Sequence, residues 1–436
     1  MEFLKKHTKA VSFFGLLILF WGQYLVFGLA RSSDTTSFES FSPLVYPLYS
    51  VTLWIFRTLF GTETGYFLLG LFQNFLLAAA ISSIVHYLKK AFTLDSFTYI
   101  FLLVLSSMMF IVQKWLTRAG MVSSNTLISE GITIPLYLFF FRYALQALLE
   151  QNKKAFLFAC LFATCIILTR AQLYWILVVV AVLWLYISKP ISKKSLISAV
   201  LICAVIAGFI QGTRVIQNFS EQDEQNKTPS SLYLLSTVVY CTEREDIDLF
   251  PAGSAEWELF MMTRDWMDMP EHLASIEHES GGLTSRHQHF EAYYDLVKGV
   301  LGYYYNYLAE QGIVADMTTM TVTLVRDNLG VFLLHCAQNA LVGLIRTVAI
   351  LRPGINLYAC AFYVFLAICL LISRKNENLK SIRQMTCLGL LCVLLNALVM
   401  GPGVFALSRY MFYNLPIMYY TAILFLRALF LEWRKK

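Results

Sequence analysis

The sequence predicts an all-α polytopic membrane protein with about ten transmembrane helices, interfacial helices and one mainly helical exoplasmic domain. Hydrophobic residues make up 58% of the 436 positions and charged residues only 14%, whereas soluble domains carry about 25% charged residues. The apolar residues form blocks of about 16 to 22, long enough to cross a hydrocarbon core about 30 Å thick as a helix. The blocks lack the alternation of barrel strands, so helices are the structures that satisfy the backbone in lipid.

Ten apolar blocks qualify as spans, and they are residues 10–30, 65–88, 96–113, 131–149, 155–170, 172–188, 195–216, 354–373, 384–401 and 409–430. Orientation follows from lysines and arginines, which concentrate in short cytoplasmic loops. The basic clusters lie between helices in a consistent order, which places both termini in the cytoplasm. We expect the protein in a bacterial plasma membrane.

Two further apolar segments are predicted to lie in the membrane interface. Residues 47–60 are too short to span, begin with a proline and carry Arg57. Residues 329–350 are long enough, but a span there would place the basic stretch 374–383 outside, against the positive-inside rule. Interruption by His335, Gln338, Asn339 and Arg346 favours an interfacial helix.

These assignments divide the chain into three parts. Residues 1–216 form an N-terminal transmembrane module with about seven helices and an exoplasmic loop at 31–46. Residues 217–350 form an exoplasmic domain, helical from Ala255 onward, and residues 351–436 form a C-terminal module with about three helices. The net charge of +6 reflects helix ends and topology, so no nucleic-acid partner is expected.

Asp34 is the main candidate for chemistry. It follows the first helix, and Glu39 lies five residues later. A carboxylate at the membrane surface can act as a general base, and two carboxylates can share a divalent cation such as Mg²⁺ or Mn²⁺. The alternative is a solvated loop acid or a helix cap. No other cofactor or metal site is indicated.

Basic residues gather at the predicted outer rim, where they are normally scarce. Taken singly, each arginine is more often an interface anchor, but their common location suits a ligand that carries phosphate. Glu130 lies at the same rim and is a second candidate acidic partner. The candidate phosphate-binding residues are Lys114, Arg118, Arg170, Arg409 and Tyr410.

The exoplasmic segment contains His287, His289 and a tyrosine cluster that includes Tyr304. The two histidines would share a face on a strand and bind a metal together, but they would diverge on a helix. Solvated helical histidines and tyrosines at the membrane interface are the simpler interpretation. The functional alternative is an acceptor-side surface on which sugars stack.

The order of these segments resembles the C-type glycosyltransferase superfamily, in its bacterial branch similar to protein mannosyltransferases. The resemblance covers about residues 10–190 and 400–430, and order and topology carry it more than any one motif. The family often places a second acid beside the first, where this chain has Thr35-Thr36. The matching residues are Asp34, Tyr46-Pro47-Leu48-Tyr49, Leu59-Phe60-Gly61, Gln73-Asn74, Ser129-Glu130, Leu168-Thr169-Arg170 and Arg409-Tyr410.

The resemblance implies an inverting transferase that moves a sugar from a polyprenyl-phosphate donor to an exoplasmic glycan, lipid or protein acceptor, with Asp34 as the catalytic base. An envelope glycan polymerase or ligase would use the outer arginines without depending on Asp34. A transporter or flippase of lipid-linked glycans typically has paired internal repeats, and none is seen in this sequence. A non-catalytic assembly factor is also consistent with the missing second acid.

Overall fold

The computed structural model describes residues 7–32, 34–42, 45–113, 122–220, 231–276, 283–349, 353–403 and 408–434. In this part of the chain the only strands are β1 (Ala30–Arg31) and β2 (Thr126–Leu127), which pair in parallel. The helices before residue 221 are α1 (Thr8–Phe27), α2 (Thr35–Glu39), α3 (Pro47–Phe60), α4 (Thr62–Ala91), α5 (Ser96–Ile111), α6 (Glu130–Glu150), α7 (Lys153–Ile167), α8 (Ile176–Ile187) and α9 (Lys193–Ser220).

The second half of the described chain is also helical, and short 3₁₀ turns join several of its helices. The helices are α10 (Ser231–Val239), α11 (Ala255–Met267), α12 (Pro270–Ile276), α13 (Leu283–Glu310), α14 (Met317–Asp327), α15 (Leu329–Val348), α16 (Pro353–Ser373), α17 (Lys380–Gly403), α18 (Ser408–Met411) and α19 (Leu415–Trp433). The prediction of an all-α protein is therefore confirmed.

Eight helical segments in the described residues are long and apolar enough to cross a membrane. One of them, Lys193–Gln217, has only 17% of its most apolar window buried against protein, which suits a helix whose other faces contact lipid. The prediction of a multi-pass membrane protein is confirmed. The eight segments are Thr8–Phe27, Thr62–Ala91, Glu130–Glu150, Lys193–Gln217, Leu329–Val348, Asn356–Ser373, Glu377–Gly403 and Arg409–Trp433.

This set differs in detail from the ten predicted spans. The segment Leu329–Val348, assigned to the interface from its polar residues, has the length and hydropathy of a span. Two predicted spans correspond to the shorter apolar helices Ser96–Ile111 and Ala171–Ile187. A third predicted span, 155–170, corresponds to α7, which has 15 residues. Such short helices cross a bilayer only with help from flanking residues.

The described chain divides into two compact units. Unit 1 comprises Met1–Glu221, Cys360–Val393 and Ser408–Lys436, so it joins the N-terminal and C-terminal helices. Unit 2 comprises Gln222–Ala359 and Leu394–Leu407.

Helix α4 lies at the centre of unit 1, where it packs against α1, α3 and α6. Close approach depends on glycine at two positions. A Cβ atom at Gly70 would overlap the Tyr24 ring, and one at Gly131 would lie 2.5 Å from Oε1 of Gln73. Because both positions are far inside van der Waals contact, a side chain there would displace Tyr24 or Gln73 from its place in the packing.

Unit 2 contains its own apolar core, which α10, α11, α13 and α14 build. Helix α11 begins at Ala255, where the sequence predicts helix to begin, and Ser254 caps it by accepting a hydrogen bond from the backbone N–H of Trp257. The core residues include Leu235, Leu259, Phe260, Val297 and Leu324, all fully buried. A core of this kind is what a separately packed domain requires.

Candidate functional site

Four charged side chains from distant parts of unit 1 meet in one cluster. The Arg170 guanidinium pairs with the Glu130 carboxylate. Arg409 lies between two acids, with Nη2 3.5 Å from Oδ2 of Asp34 and Nε 3.7 Å from Oε1 of Glu130. The structure thus brings together Asp34, Glu130, Arg170 and Arg409, which the sequence places at one rim without showing that they touch.

The four side chains differ in accessibility. The Glu130 side chain is 1% exposed and the Arg170 side chain 14%. The Arg409 and Asp34 side chains are 22% and 36% exposed. Because Glu130 is buried against two guanidinium groups, it holds the arginines in place. Asp34 is the carboxylate in the cluster that an incoming molecule can reach.

Two tyrosines complete the arginine environment. Both guanidinium carbons face the Tyr410 ring, at 4.7 Å from Arg170 and 4.9 Å from Arg409, within the range of cation–π attraction. Arg409 also donates to the Tyr410 hydroxyl at 2.9 Å. Arg170 donates to the Tyr413 hydroxyl at 3.4 Å. Sequence reasoning missed Tyr413, although its position three residues after Tyr410 puts it on the same side of a helical turn.

Local structure explains why Asp34 faces this cluster. Asp34 is the residue before α2. The next residue, Thr35, is 1% exposed and donates its hydroxyl proton to the Leu127 carbonyl at 2.8 Å. In the same region the β1–β2 ladder pairs Ala30 with Thr126 and Arg31 with Leu127. The acidic loop is therefore attached to the segment that leads into Glu130.

A buried amide fixes that segment from the other side. Gln73 Nε2 donates to the carbonyls of Ser124 and Thr126, both at 3.1 Å. Its Oε1 accepts from the Tyr49 hydroxyl at 3.1 Å. Gln73 is fully buried, so these bonds satisfy an amide that would otherwise destabilise the unit. Gln73 and Tyr49, two of the residues that carry the family resemblance, therefore have a structural role here.

Arg170 is positioned by the turn that ends α7. The Leu168 carbonyl accepts a hydrogen bond from the backbone N–H of Leu48 at 3.0 Å. Thr169 is buried and its hydroxyl lies 2.7 Å from that of Thr133 in α6. The start of α3 and the first turn of α6 thus hold both residues before Arg170.

Glu39 does not join Asp34 in this cluster. Its carboxylate accepts from Arg31 at 2.5 Å and from the Tyr66 hydroxyl. Five helical positions rotate a side chain by about 140°, so Asp34 and Glu39 project to different sides of α2. No group of three or more His, Cys, Asp or Glu side chains in the described ranges is arranged to hold a metal. Lys114 and Arg118, also predicted to bind phosphate, lie outside the described residues.

The acceptor-side candidates lie in unit 2 and have structural partners. His287 and His289 belong to α13, so they diverge, as expected on a helix. His287 Nε2 lies 3.1 Å from Oε1 of Glu291, and Arg346 Nη1 lies 2.6 Å from the same oxygen. His289 Nδ1 lies 3.2 Å from the Tyr240 hydroxyl. Tyr304 packs, partly buried, against the apolar core of unit 2.

The Glu291 carboxyl is held in its charged form. Burial alone would raise its pKa, but the hydrogen bond from His287 and the charge of Arg346 outweigh burial and lower the pKa to about 2. The three side chains therefore stabilise the packing of α13 on α15. They have the geometry of a structural ion-pair network.

An apolar groove of about 390 Å³ lies in unit 1 beside the acidic loop. Phe41 and Gln217 line one part of it, and Leu168, two residues before Arg170, lines another. Gln217 Nε2 donates to the carbonyls of Phe41, Ser42 and Val45 at 2.9, 3.1 and 3.2 Å. The groove thus borders both the loop that carries Asp34 and the turn that carries Arg170.

The comparisons with known proteins identified no relative of this chain. No model of a known protein family matches the chain, and searches of curated proteins and of solved structures found no match. The function is therefore argued from the geometry of the site.

Proposed function

We propose that the protein is an inverting membrane glycosyltransferase that moves a sugar from a polyprenyl-phosphate donor to an exoplasmic acceptor. The observation that carries this proposal is the contact between one accessible carboxylate, Asp34, and the Arg409 guanidinium, in a cluster that also contains the Glu130–Arg170 pair and borders an apolar groove. A transferase of this kind needs a base for the acceptor, cations for the leaving phosphate and an apolar surface for the lipid.

The reaction is a single displacement at the anomeric carbon of the donor sugar. The acceptor hydroxyl oxygen bonds to that carbon while the bond from the carbon to the phosphate oxygen breaks. Asp34 takes the hydroxyl proton, and polyprenyl phosphate leaves with the bonding electron pair. Arg409 stabilises the charge that grows on the phosphate. Displacement from the opposite face inverts the configuration of the carbon.

Arg409 connects donor binding with activation of the base. In the cluster its guanidinium is shared between Asp34 and Glu130. A donor phosphate that binds Arg409 draws this cation away from Asp34, which opens the Asp34 carboxylate to the acceptor hydroxyl. Glu130 keeps Arg170 and Arg409 in position during the exchange, since its burial ties it to both. The base is thus activated when the donor is present.

The apolar groove provides a place for the first isoprene units of the donor. Pro47, Leu48, Val51 and Ile216 line it, and Ile216 is 70% exposed. Exposed apolar side chains on a membrane protein normally face lipid. A polyprenyl chain therefore enters sideways from the bilayer, and its phosphate reaches Arg170 and Arg409.

The membrane topology that we propose is the one that the sequence predicts. About ten helices cross the plasma membrane of a bacterium, both termini are cytoplasmic, and 217–350 is exoplasmic with 329–350 in the interface. Cysteine substitutions at Glu63 and at Lys153 test the orientation in intact cells. A membrane-impermeant maleimide will label the Glu63→Cys variant on the Asp34 side and leave Lys153→Cys unlabelled. The reverse pattern contradicts the proposed orientation.

The decisive experiment is a transfer assay with radiolabelled polyprenyl-phosphate sugars and purified full-length protein, with and without Mg²⁺ or Mn²⁺. Asp34→Asn will lower the transfer rate by about 10² to 10⁴, the range that general-base catalysis contributes. Glu63→Gln, an exposed acid at the start of α4, is the matched control and keeps the wild-type rate. Full activity of a folded Asp34→Asn protein contradicts the mechanism. Loss of activity in Arg170 and Arg409 variants alone favours an envelope glycan polymerase or ligase.

A further inference from the structure

An open cavity of about 820 Å³ lies in unit 1 where α1 begins and α4 ends. Its volume falls in the range of small-molecule binding sites, about 300 to 1,000 Å³. Helix α1 has 20 residues, so about 30 Å of helix separates this cavity from the end of α1 that leads to Asp34. The cavity is therefore distinct from the cluster around Asp34, and the inference does not rest on the proposed function.

The cavity wall is strongly basic. Ten described residues line it, of which five are basic and none is acidic; the basic ones are His7, Lys9, His86, Lys89 and Lys90. Basic residues at a helix end are a common topology signal. Here three lysines from two helices surround one space, and topology alone does not require this. Each ammonium raises the positive electrostatic potential at the others.

The described acids near the cavity do not neutralise these lysines. In the described part of the chain, no ion pair forms between a carboxylate and Lys9, Lys89 or Lys90. Asp95, close to the cavity in sequence, is engaged by Arg427, whose Nε lies 3.1 Å from Oδ2. Lys89 is held instead by the Tyr99 ring, with Nζ 4.5 Å from the ring centre.

A partly buried histidine also lines the cavity. His86 Nδ1 is buried and has no hydrogen-bond partner among the described residues. Lys9, Lys89, Lys90 and Arg142 all lie close enough to interact with its ring electrostatically. The cavity wall thus includes a side chain with a polar atom that no described residue satisfies, among cations that would attract an anion.

We propose that this cavity binds a phosphate-bearing anion, either the headgroup of an anionic phospholipid or a free phosphate compound. The three lysines supply the attraction, His86 contributes a polar side chain to the wall, and Phe13 contributes an apolar one. Basic pockets between transmembrane helices bind anionic headgroups by the same combination of charge and shape.

The test measures ligand retention by full-length protein in detergent, using native mass spectrometry and thermal unfolding. The probes are phosphatidylglycerol, phosphatidylcholine and inorganic phosphate. The variant is Lys9→Gln/Lys89→Gln/Lys90→Gln. The control is Lys153→Gln/Lys154→Gln/Lys193→Gln, which removes the same charge from exposed lysines outside the cavity.

We expect wild type and control to retain phosphatidylglycerol over phosphatidylcholine, and the cavity variant to lose affinity by on the order of 100-fold, at about fivefold per lysine. Protection by inorganic phosphate alone, lost in the same variant, supports the free-phosphate source. Equal retention by the cavity variant and the control overturns the proposal.

Discussion

The Arg409 guanidinium lies 3.5 Å from the Asp34 carboxylate and, at the same time, 3.7 Å from Glu130. One cation thus joins an accessible acid to a buried acid. The buried acid has a second guanidinium partner in Arg170, whereas the Asp34 side chain is 36% exposed. A ligand anion will therefore compete more easily for the Asp34 side of this arrangement than for the Glu130 side.

Substitution of Arg409 tests this competition. Arg409→Gln removes the cation, so donor binding weakens and KM for the polyprenyl-phosphate sugar rises by about tenfold or more, the effect of one charge-assisted contact. Arg409→Lys restores part of the binding but leaves the rate low, because one ammonium cannot contact two carboxylates as a planar guanidinium does. Steady-state kinetics in detergent micelles measure both effects. Equal KM values for wild type and Arg409→Gln would contradict the assignment.

Removal of Glu130 tests the structural half of the cluster. Glu130→Gln leaves a mostly buried Arg170 without its carboxylate, and breaking a buried ion pair costs about 3 to 5 kcal/mol. Glu130→Leu/Arg170→Met removes both charges, so it will recover part of the lost stability while remaining inactive. Urea or thermal unfolding in micelles provides the comparison. A single variant as stable as wild type would show that Glu130 does not stabilise this cluster.

A second stability prediction concerns the contact between α15 and α17 in unit 2. A Cβ atom at Gly401 would lie 2.9 Å from the backbone carbonyl oxygen of Cys336, so Gly401→Ala forces two helices apart. We expect a loss of about 1 to 3 kcal/mol. Gly330→Ala is the matched control, since no described atom lies within 4 Å of the place that a Cβ atom would take there, and it will be neutral or stabilising by up to about 1 kcal/mol.

The same contact has a polar component that the control leaves intact. Asn339 Nδ2 donates to the carbonyls of Met400 and Gly401, both at 3.1 Å. Asn339→Leu will therefore destabilise unit 2 by about 1 to 3 kcal/mol through the unsatisfied carbonyls. If Gly401→Ala is as stable as Gly330→Ala, the close approach of the two helices is not a constraint.

Acid will destabilise unit 2 through Glu291. Its folded-state pKa, about 2, lies below the ordinary value of 4.5, so its ionised form contributes stability above about pH 4.5. This contribution is lost as the pH falls from about 4.5 towards about 2, because the unfolded state takes up the proton first. Melting temperature measured across this range will fall more steeply for wild type than for Glu291→Gln. Glu310→Gln, an exposed acid at the end of the same helix, will keep the wild-type slope.

Much of the fold follows from the sequence. The apolar blocks predict most of the long helices, and residues 47–60 form one helix with the predicted bounds, because Pro47 favours the first turn of a helix and Gly61 adopts a positive φ of 78° that ends it. The sequence identifies the residues of the site but does not show which of them contact each other. Asp34, Glu130, Arg170 and Arg409 are identified by their common rim position. Their partners depend on contacts between segments far apart in the chain, which hydropathy does not encode.

The absent second acid illustrates the limit. The sequence shows Thr35 where the family that it resembles often has a carboxylate, which suggests a missing catalytic group. In the structure, position 35 is buried and donates a proton to the Leu127 carbonyl. An ionised carboxylate only accepts hydrogen bonds, so it would lose this bond to the carbonyl. The local fold thus favours threonine, and Glu39, the next acid along, has other partners in Arg31 and Tyr66.

Gln73 and Gln217 hold the acidic loop and its neighbouring segment from two remote stretches of the chain. Neither residue has any chemistry of its own at the site. A random mutagenesis screen for lost activity will nevertheless recover substitutions at both positions, and their phenotypes will be temperature-sensitive, because they loosen the geometry and leave the reacting groups in place. Positions at which substitution abolishes activity will thus include residues that hold the site in place as well as residues that react.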